Sequence, residues 1–394
     1  MKKLFLLAAV CTALFIALNP LNIHGCTSWI IMHDMTANGT NIVHKNRDAT
    51  PKNVAVYLSP ASSPRKWIGS GNNGGVYMGM NSSGLGVIMN NGEAYVNVRN
   101  STAKNRKTTP IIIRECLEQC DTAAQAVEYF KKVITDKLYY HPSKVGAIYL
   151  ICDRNEGYVC EFTDSRISVQ KYTEGFTVRA NIWQNPGMYQ LARNSVKKYL
   201  NSSTRAFIAL AGLNQIIDKN GKIAMLDIFT LSRHCAMPDN SPAEQTAAKK
   251  ESNTDVLSTL YGTKRSICFK YTNSISSFEI DRRYPDVLST MYTTIGHPRH
   301  TVYVPVPVCV EKILPSMGNL KWSAAAFKRL DKLKLETPIP AEWTKFEKDS
   351  MAVYQKAQSD ARKLLNAGKR AEAVKLVNST AEKIWKDAVK LLKI

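Results

Sequence analysis

After residue 25 the apolar residues of this chain come in short runs broken by turn-forming clusters, a pattern that makes strands the dominant element over the first three quarters of the sequence. Thr27–His33 and Asn41–Asn46 flank Asn38-Gly39, a strong hairpin signal. Val54–Leu58 reads as a third strand. Val76–Met80 and Leu85–Met89 flank Asn81-Ser82-Ser83-Gly84, and Ala147–Cys152 and Tyr158–Phe162 flank Asn155-Glu156-Gly157. Ile167–Tyr172 and Phe176–Trp183 continue the sheet, and late strands are expected at Ser266–Tyr271, Ser276–Ile280, Met291–Ile295 and Thr301–Val306. Helical spacing appears from Pro110 to about Val133, with Asp121 capping the second part, and again at Tyr189–Tyr199 and Arg205–Ile217. Residues 239–256 read as an exposed loop. Sheets interrupted by two helical groups predict layers of sheet covered by helix.

The first 25 residues have another character. Lys2 and Lys3 precede an unbroken apolar run, Leu4–Leu18, ended by Asn19-Pro20, which is the pattern of a removable secretory leader. The run is shorter than the roughly 20 residues of a membrane-spanning helix. Removal of residues 1–25 leaves Cys26 as the first residue. A terminal cysteine carries a thiol and an α-amine together, and an amine with a pKa of roughly 7.7–8.0 can take the thiol proton near neutrality. A small residue before a cysteine just after an apolar run also fits bacterial lipoprotein processing, although Ile23 and His24 fit it poorly. Lipidation would block both groups of Cys26, so a catalytic Cys26 and a lipid anchor at Cys26 exclude each other. Processing predicts an exported protein, periplasmic or secreted.

The formal charge of +21 among 394 residues falls by two when Lys2 and Lys3 leave. That excess favours anionic surfaces or substrates; nucleic acid is disfavoured because no binding motif accompanies the charge. Of the nine cysteines, Cys11 leaves with the leader, and the spacing of the rest forms no metal site. A three-residue hairpin loop would place Cys152 opposite Cys160, close enough for a disulfide. From about Pro315, Lys, Ala and Leu predominate with apolar spacing of three to four in Ala361–Leu376 and Ala381–Leu392. This predicts a basic helical hairpin turning near Asn378. The expected organisation is therefore a leader at 1–25, a sheet-rich domain at 26–314 and a helical extension at 315–394.

Folding the first hairpin about Asn38-Gly39 places Lys45-Asn46-Arg47-Asp48 beside the start of the first strand, with Asp48 roughly across from Trp29. At about 3.3 Å per residue that is about 10 Å from Cys26. Asp48 is then a candidate to hold the α-amine or position the thiol.

A cysteine followed by Thr27, a strand–Asn-Gly–strand hairpin and Lys45-Asn46-Arg47-Asp48 resembles the start of the cysteine N-terminal-nucleophile hydrolases. More narrowly it is similar to the linear amide C–N hydrolase group, which includes choloylglycine hydrolases, penicillin V acylases and acyl-coenzyme A:6-aminopenicillanate acyltransferases. Gly79–Val87 resembles the second motif of that group, leading to an Asn that donates to the oxyanion. Ungapped counting selects Asn91, with Asn90 as its alternative. Arg179-Ala180-Asn181 resembles the strand end that carries the second functional amide. The resemblance implies an α+β fold, a four-layer αββα sandwich, with no metal or organic cofactor and a small-molecule N-acyl amide as substrate. It assigns Cys26 as nucleophile, Lys45 and Asp48 as its positioning groups, and Asn91 and Asn181 as oxyanion donors. Lys45 stands where bile-salt-type members carry Arg, and Arg233 is the choice for their late active-site arginine. Acyl transfer, dipeptide hydrolysis and a non-catalytic, lipid-anchored binding protein remain as alternatives. His33, His44, His234, His297 and His300 are read as structural. Oligomeric state is left open.

Overall fold

The computed structural model describes residues 25–50, 52–92, 98–191, 196–235, 266–333, 335 and 337–394. The leader up to residue 24 and the loop at 239–256 lie outside these residues.

Two antiparallel sheets face each other. The first orders its strands as β10 (Phe176–Arg179), β1 (Thr27–Ile31), β2 (Asn41–Asp48), β11 (Thr272–Ile280), β12 (Thr290–Ile295) and β13 (Val304–Pro307). The second runs through β3 (Ala55–Leu58), β4 (Trp67–Asn72), β5 (Gly75–Asn81), β6 (Gly86–Gly92), β7 (Gly146–Cys152), β8 (Gly157–Phe162) and β9 (Ile167–Tyr172). Period-two alternation sorts their side chains into two layers of core. Ile88, Ile148 and Leu150 of the second sheet join Ile30 and Val43 of the first between the sheets. Val87, Met89, Ala147 and Tyr149 point the other way, onto helices α1 (Thr109–Gln119) and α2 (Ala123–Thr135). The outer face of the first sheet meets α3 (Val196–Asn220) and α4 (Met225–Ser232), where Asn46 Nδ2 donates to the Ser232 carbonyl at 2.7 Å. The layers are thus αββα, as the sequence resemblance implied.

The helical extension shares this core. Helices α5 (Lys321–Leu333), α6 (Ala341–Asn366) and α7 (Arg370–Leu392) bring Trp322, Trp343, Tyr354 and Trp385 into the same apolar cluster as the first sheet. Buried indoles need partners for their N–H groups. Trp385 Nε1 donates to the Pro305 carbonyl at 2.6 Å and Trp322 Nε1 to the Thr301 hydroxyl at 2.7 Å. Among the described residues no helix is long and apolar enough to cross a membrane.

Several local expectations change. The C-terminal hairpin turns at Gly368, held at φ +74°, a left-handed conformation that favours glycine; Asn378 lies inside α7. The first hairpin pairs Ile31 with Ile42, so its turn is centred near Thr36 and Ala37 rather than on Asn38-Gly39. Thr36 also bridges to Ile223 and the Thr36 hydroxyl donates to the Thr40 carbonyl, which closes a longer loop. Cys152 pairs with Gly157, because Asp153 Oδ1 accepts from the backbone of Asn155 and Glu156 to make a four-residue turn. Cys160 then sits opposite Tyr149, and both cysteines are free thiols with no disulfide between them. Residues 266–271 are irregular, and the strand expected there begins at Thr272. Sequence reading missed β4 and α4 entirely.

Candidate active site

Cys26 precedes β1 at the end of the first sheet and is 6% exposed. The printed register runs from Ile31↔Ile42 to Thr27↔Asn46, and one further step puts Arg47 across from Cys26. On the other flank Ser28 pairs with Arg179, so Asn181 lies beside Cys26 just past the end of β10. The strand termini of β2 and β10 therefore bracket the cysteine. Asp48, expected across from Trp29, is displaced by the turn: His44 faces Trp29, stacked at 3.7 Å, and Asp48 lies beside Gly25. A Cβ built on Gly25 would sit 3.2 Å from Asp48 Oδ2 and 3.0 Å from the Arg205 guanidinium carbon.

The Cys26 nitrogen, a peptide amide while Gly25 is attached, donates to Asn181 Oδ1 at 2.8 Å. Arg205 Nη2 donates to the same oxygen at 2.8 Å, and its Nη1 donates to the Cys26 carbonyl and, at 3.0 Å, to the Thr27 hydroxyl. Two donors on Oδ1 fix which way the Asn181 amide points. Its Nδ2 donates to the Asn91 carbonyl at 2.8 Å.

Lys45 and Ser28 are paired neighbours whose side chains face the gap between the sheets, where the Ser28 hydroxyl donates to Asn90 Oδ1 at 2.8 Å. Lys45 Nζ donates to the Met89 carbonyl and reaches the Cys26 sulfur. Burial lowers the Lys45 ammonium below the ordinary lysine range, with the Cys26 charge opposing that shift. Burial pushes the Asp48 carboxyl up to about 7, opposed by the Arg205 charge and by a hydrogen bond from Thr272.

Of the two adjacent amides, Asn90 turns its side chain toward Ser28 and donates from Nδ2 to the Ala180 carbonyl at 3.1 Å. Asn91, by alternation along β6, faces the other side and reaches the site through its main-chain carbonyl. Asn91, expected as a side-chain donor, instead meets Asn181 as an acceptor through its main-chain carbonyl. Arg233 is not at this site. Its guanidinium forms a buried fork on Glu347 of α6, at 2.6 Å for each nitrogen, and donates to the Pro298 and Thr301 carbonyls. Arg205 stands near the cysteine instead. Nothing in its spacing marks it, since it is carried by a helix 24 residues beyond Asn181.

The histidines are elsewhere. Burial drives His44 down to about 3, and its nitrogens meet Ser277 and Asn46 on the outer face of β2. His297, also lowered to about 3 by burial, meets the Phe269 carbonyl. Among the described residues no group of three His, Cys, Asp or Glu side chains could hold a metal ion.

A model of the acyl-coenzyme A:6-aminopenicillanic acid acyl-transferase family matches residues 35–227. That stretch covers β2 through α3 and the first three residues of α4, including Lys45, Asp48, Asn91, Asn181 and Arg205. The chain is similar to that family over just under half of its length. A search of curated proteins finds no match. Among solved structures, the chain is similar to a variant of conjugated bile acid hydrolase from Clostridium perfringens, at 11% identity and TM-score 0.46, covering 73% of this chain and 95% of that one. Penicillin V acylase from Agrobacterium tumefaciens gives 12% identity and TM-score 0.37, covering 72% and 86%. The Caenorhabditis elegans ortholog of N-acylethanolamine-hydrolyzing acid amidase gives 15% and 0.36, covering 66% and 94%.

The Asp48 environment gives the protein a testable pH response while Gly25 is retained. A carboxyl whose folded value of about 7 exceeds its ordinary 3.8 binds more protons in the folded state between those values. Its stabilising contribution is complete below about pH 4 and is lost as the pH rises through about 7. Asp48→Asn in the full-length chain is expected to remove that part of the fall in melting temperature between about pH 5 and 8. An unchanged slope would place the carboxyl in an ordinary range.

Proposed function

We propose that this hydrolase is exported, loses residues 1–25 and cleaves a linear N-acyl amide through an acyl-thioester on Cys26. The observation that carries the reading is the bracket on the Cys26 nitrogen and sulfur: Asn181 and Arg205 hold the backbone end, and Lys45 reaches the thiol. In the processed chain the nitrogen becomes an amine, which takes the thiol proton as sulfur attacks the substrate carbonyl. Negative charge then builds on the carbonyl oxygen. Asn181 Nδ2 has two N–H donors, one of which is used by Asn91, so the second is available to that oxygen. The ammonium returns its proton to the departing amine. Water adds to the thioester by the same base, releasing the acid and restoring the thiol. Asp48 and Lys45 hold the pair in register.

The matched family is named for acyl transfer. An amine that reaches the thioester before water would make the same site a transferase. Rapid acid quenching during turnover of an activated N-acyl anilide is expected to yield intact protein heavier by one acyl group, with the adduct on Cys26. Steady turnover with the acyl group mapped to another residue would sink this reading. A diacylglyceryl group on Cys26 would replace it with a lipid-anchored binding protein.

A further inference from the structure

Arg47 is the side chain across from Cys26, and its charge has no carboxylate to match it. The residue is 6% exposed. Nη1 donates to Asn273 Oδ1 at 3.2 Å, Nη2 donates to Asn72 Oδ1 at 2.6 Å, and the guanidinium carbon lies 4.3 Å from the centre of the Tyr77 ring. Two neutral amides and an aromatic face hold it in place, yet among the described residues no acid stands at ion-pair distance. Two other buried guanidiniums differ in this respect, since Arg179 is paired with Glu161 and Arg233 with Glu347. Asp48, next in sequence, points to Thr272 and Gly25 instead.

A guanidinium cannot shed its proton, so an unmatched buried one is expensive to maintain by folding alone. Its planar fork is suited to a carboxylate, and the described contacts use two of its five N–H donors. A second feature lies on the same wall. The Ser70 hydroxyl is 1% exposed, has no hydrogen-bond partner, and sits two residues before Asn72 on the same face of β4. The face turned to the gap between the sheets thus holds an unmatched cation and an idle hydroxyl across from the nucleophile, while Asn181 occupies its opposite flank.

We propose that Arg47 seats a carboxylate of the substrate, with Ser70 as an auxiliary donor, so that the hydrolase selects acidic N-acyl amides; this rests on the amidase reading above. Adjacent strand positions place their Cβ atoms about 4.5–5.5 Å apart, so the carboxylate belongs a few bonds from the scissile carbonyl. It can be carried by the amine half, as in an N-acyl amino acid, or by the acyl half, as in a dicarboxylic monoamide.

The test compares kcat/KM for matched acid and neutral pairs: an N-acylglycine against its glycinamide, and a glutaryl anilide against its primary amide. The wild-type chain beginning at Cys26 is expected to favour the acid about 10- to 100-fold in one pair, the range of a charge-assisted hydrogen bond. That pair identifies the half that carries the charge. Arg47→Gln should bring the ratio to about one, mainly through KM, and Arg47→Lys, a point charge without the fork, should keep part of it. A wild-type ratio near one in both pairs, or a ratio unchanged in Arg47→Gln, would overturn the assignment. If Arg47→Gln does not fold, calorimetric binding of each pair to Cys26→Ala with Arg47 intact decides, and equal affinities count against it. If the wild type cleaves no amide, the amidase reading falls while that binding ratio still judges Arg47.

Discussion

Cys26→Ala is expected to leave a folded protein with no amide hydrolysis above background, a loss of at least about 10⁴-fold in kcat on the scale of other nucleophile deletions. The substitution removes one sulfur from a residue that precedes the first strand, and the groups around it are held by other bonds. Asn181 keeps Arg205 and the Asn91 carbonyl, and Arg205 keeps the Cys26 carbonyl, because those contacts involve the backbone or other side chains. Lys45 keeps the Met89 carbonyl. Thermal unfolding close to wild type together with lost turnover of an N-acyl anilide is the expected pair of results. Wild-type turnover by a homogeneous Cys26→Ala sample would remove Cys26 from the chemistry. Cys26→Ser should retain only a trace, since a hydroxyl is far less acidic than a thiol.

Local patterns made most of this arrangement legible in the sequence, and longer-range geometry made the rest illegible. Short alternating runs and two helical groups predicted sheet covered by helix, the αββα order came with the family resemblance, and Val87 and Ile88 fall on opposite faces as period two requires. The hairpin register did not follow, because Asn38-Gly39 is a strong turn signal that lost to contacts of Thr36 with Ile223 and Thr40. That shift moved Asp48 from beside Trp29 to beside Gly25. It also put Arg47 opposite the cysteine. Tertiary partners decide the remaining cases: Arg233 carries a plausible spacing, but Glu347, 114 residues away, claims its guanidinium. Arg205 comes to Cys26 only because α3 packs on the end of the first sheet. His44 and His297 have close polar partners of their own, Ser277 and Asn46 for the first and the Phe269 carbonyl for the second.

A chain that keeps residues ahead of Cys26 is expected to be inactive, and releasing Cys26 as the first residue should restore activity without any other change. With Gly25 attached the nitrogen is an amide, which has no basic lone pair and donates its single N–H to Asn181. The thiol then has no proton acceptor of suitable strength in reach. Lys45 stands close to it but is engaged with the Met89 carbonyl, and His44 points away from the gap. The space is blocked as well, because Gly25 lies against Arg205 and Asp48, with only 3.0–3.2 Å to those side chains for an added Cβ. Substitution of Gly25 by any larger residue should therefore disturb the same groups, which makes glycine the residue that fits at that step. The comparison uses two preparations, one with a non-cleavable extension and one trimmed to Cys26, both verified by intact mass. Activity confined to the trimmed form, with a low-pH limb that survives His33→Gln and His44→Gln, identifies the terminal amine as the base. Full activity in the extended form would assign the proton transfer to a side chain and make the N-terminal position of Cys26 incidental.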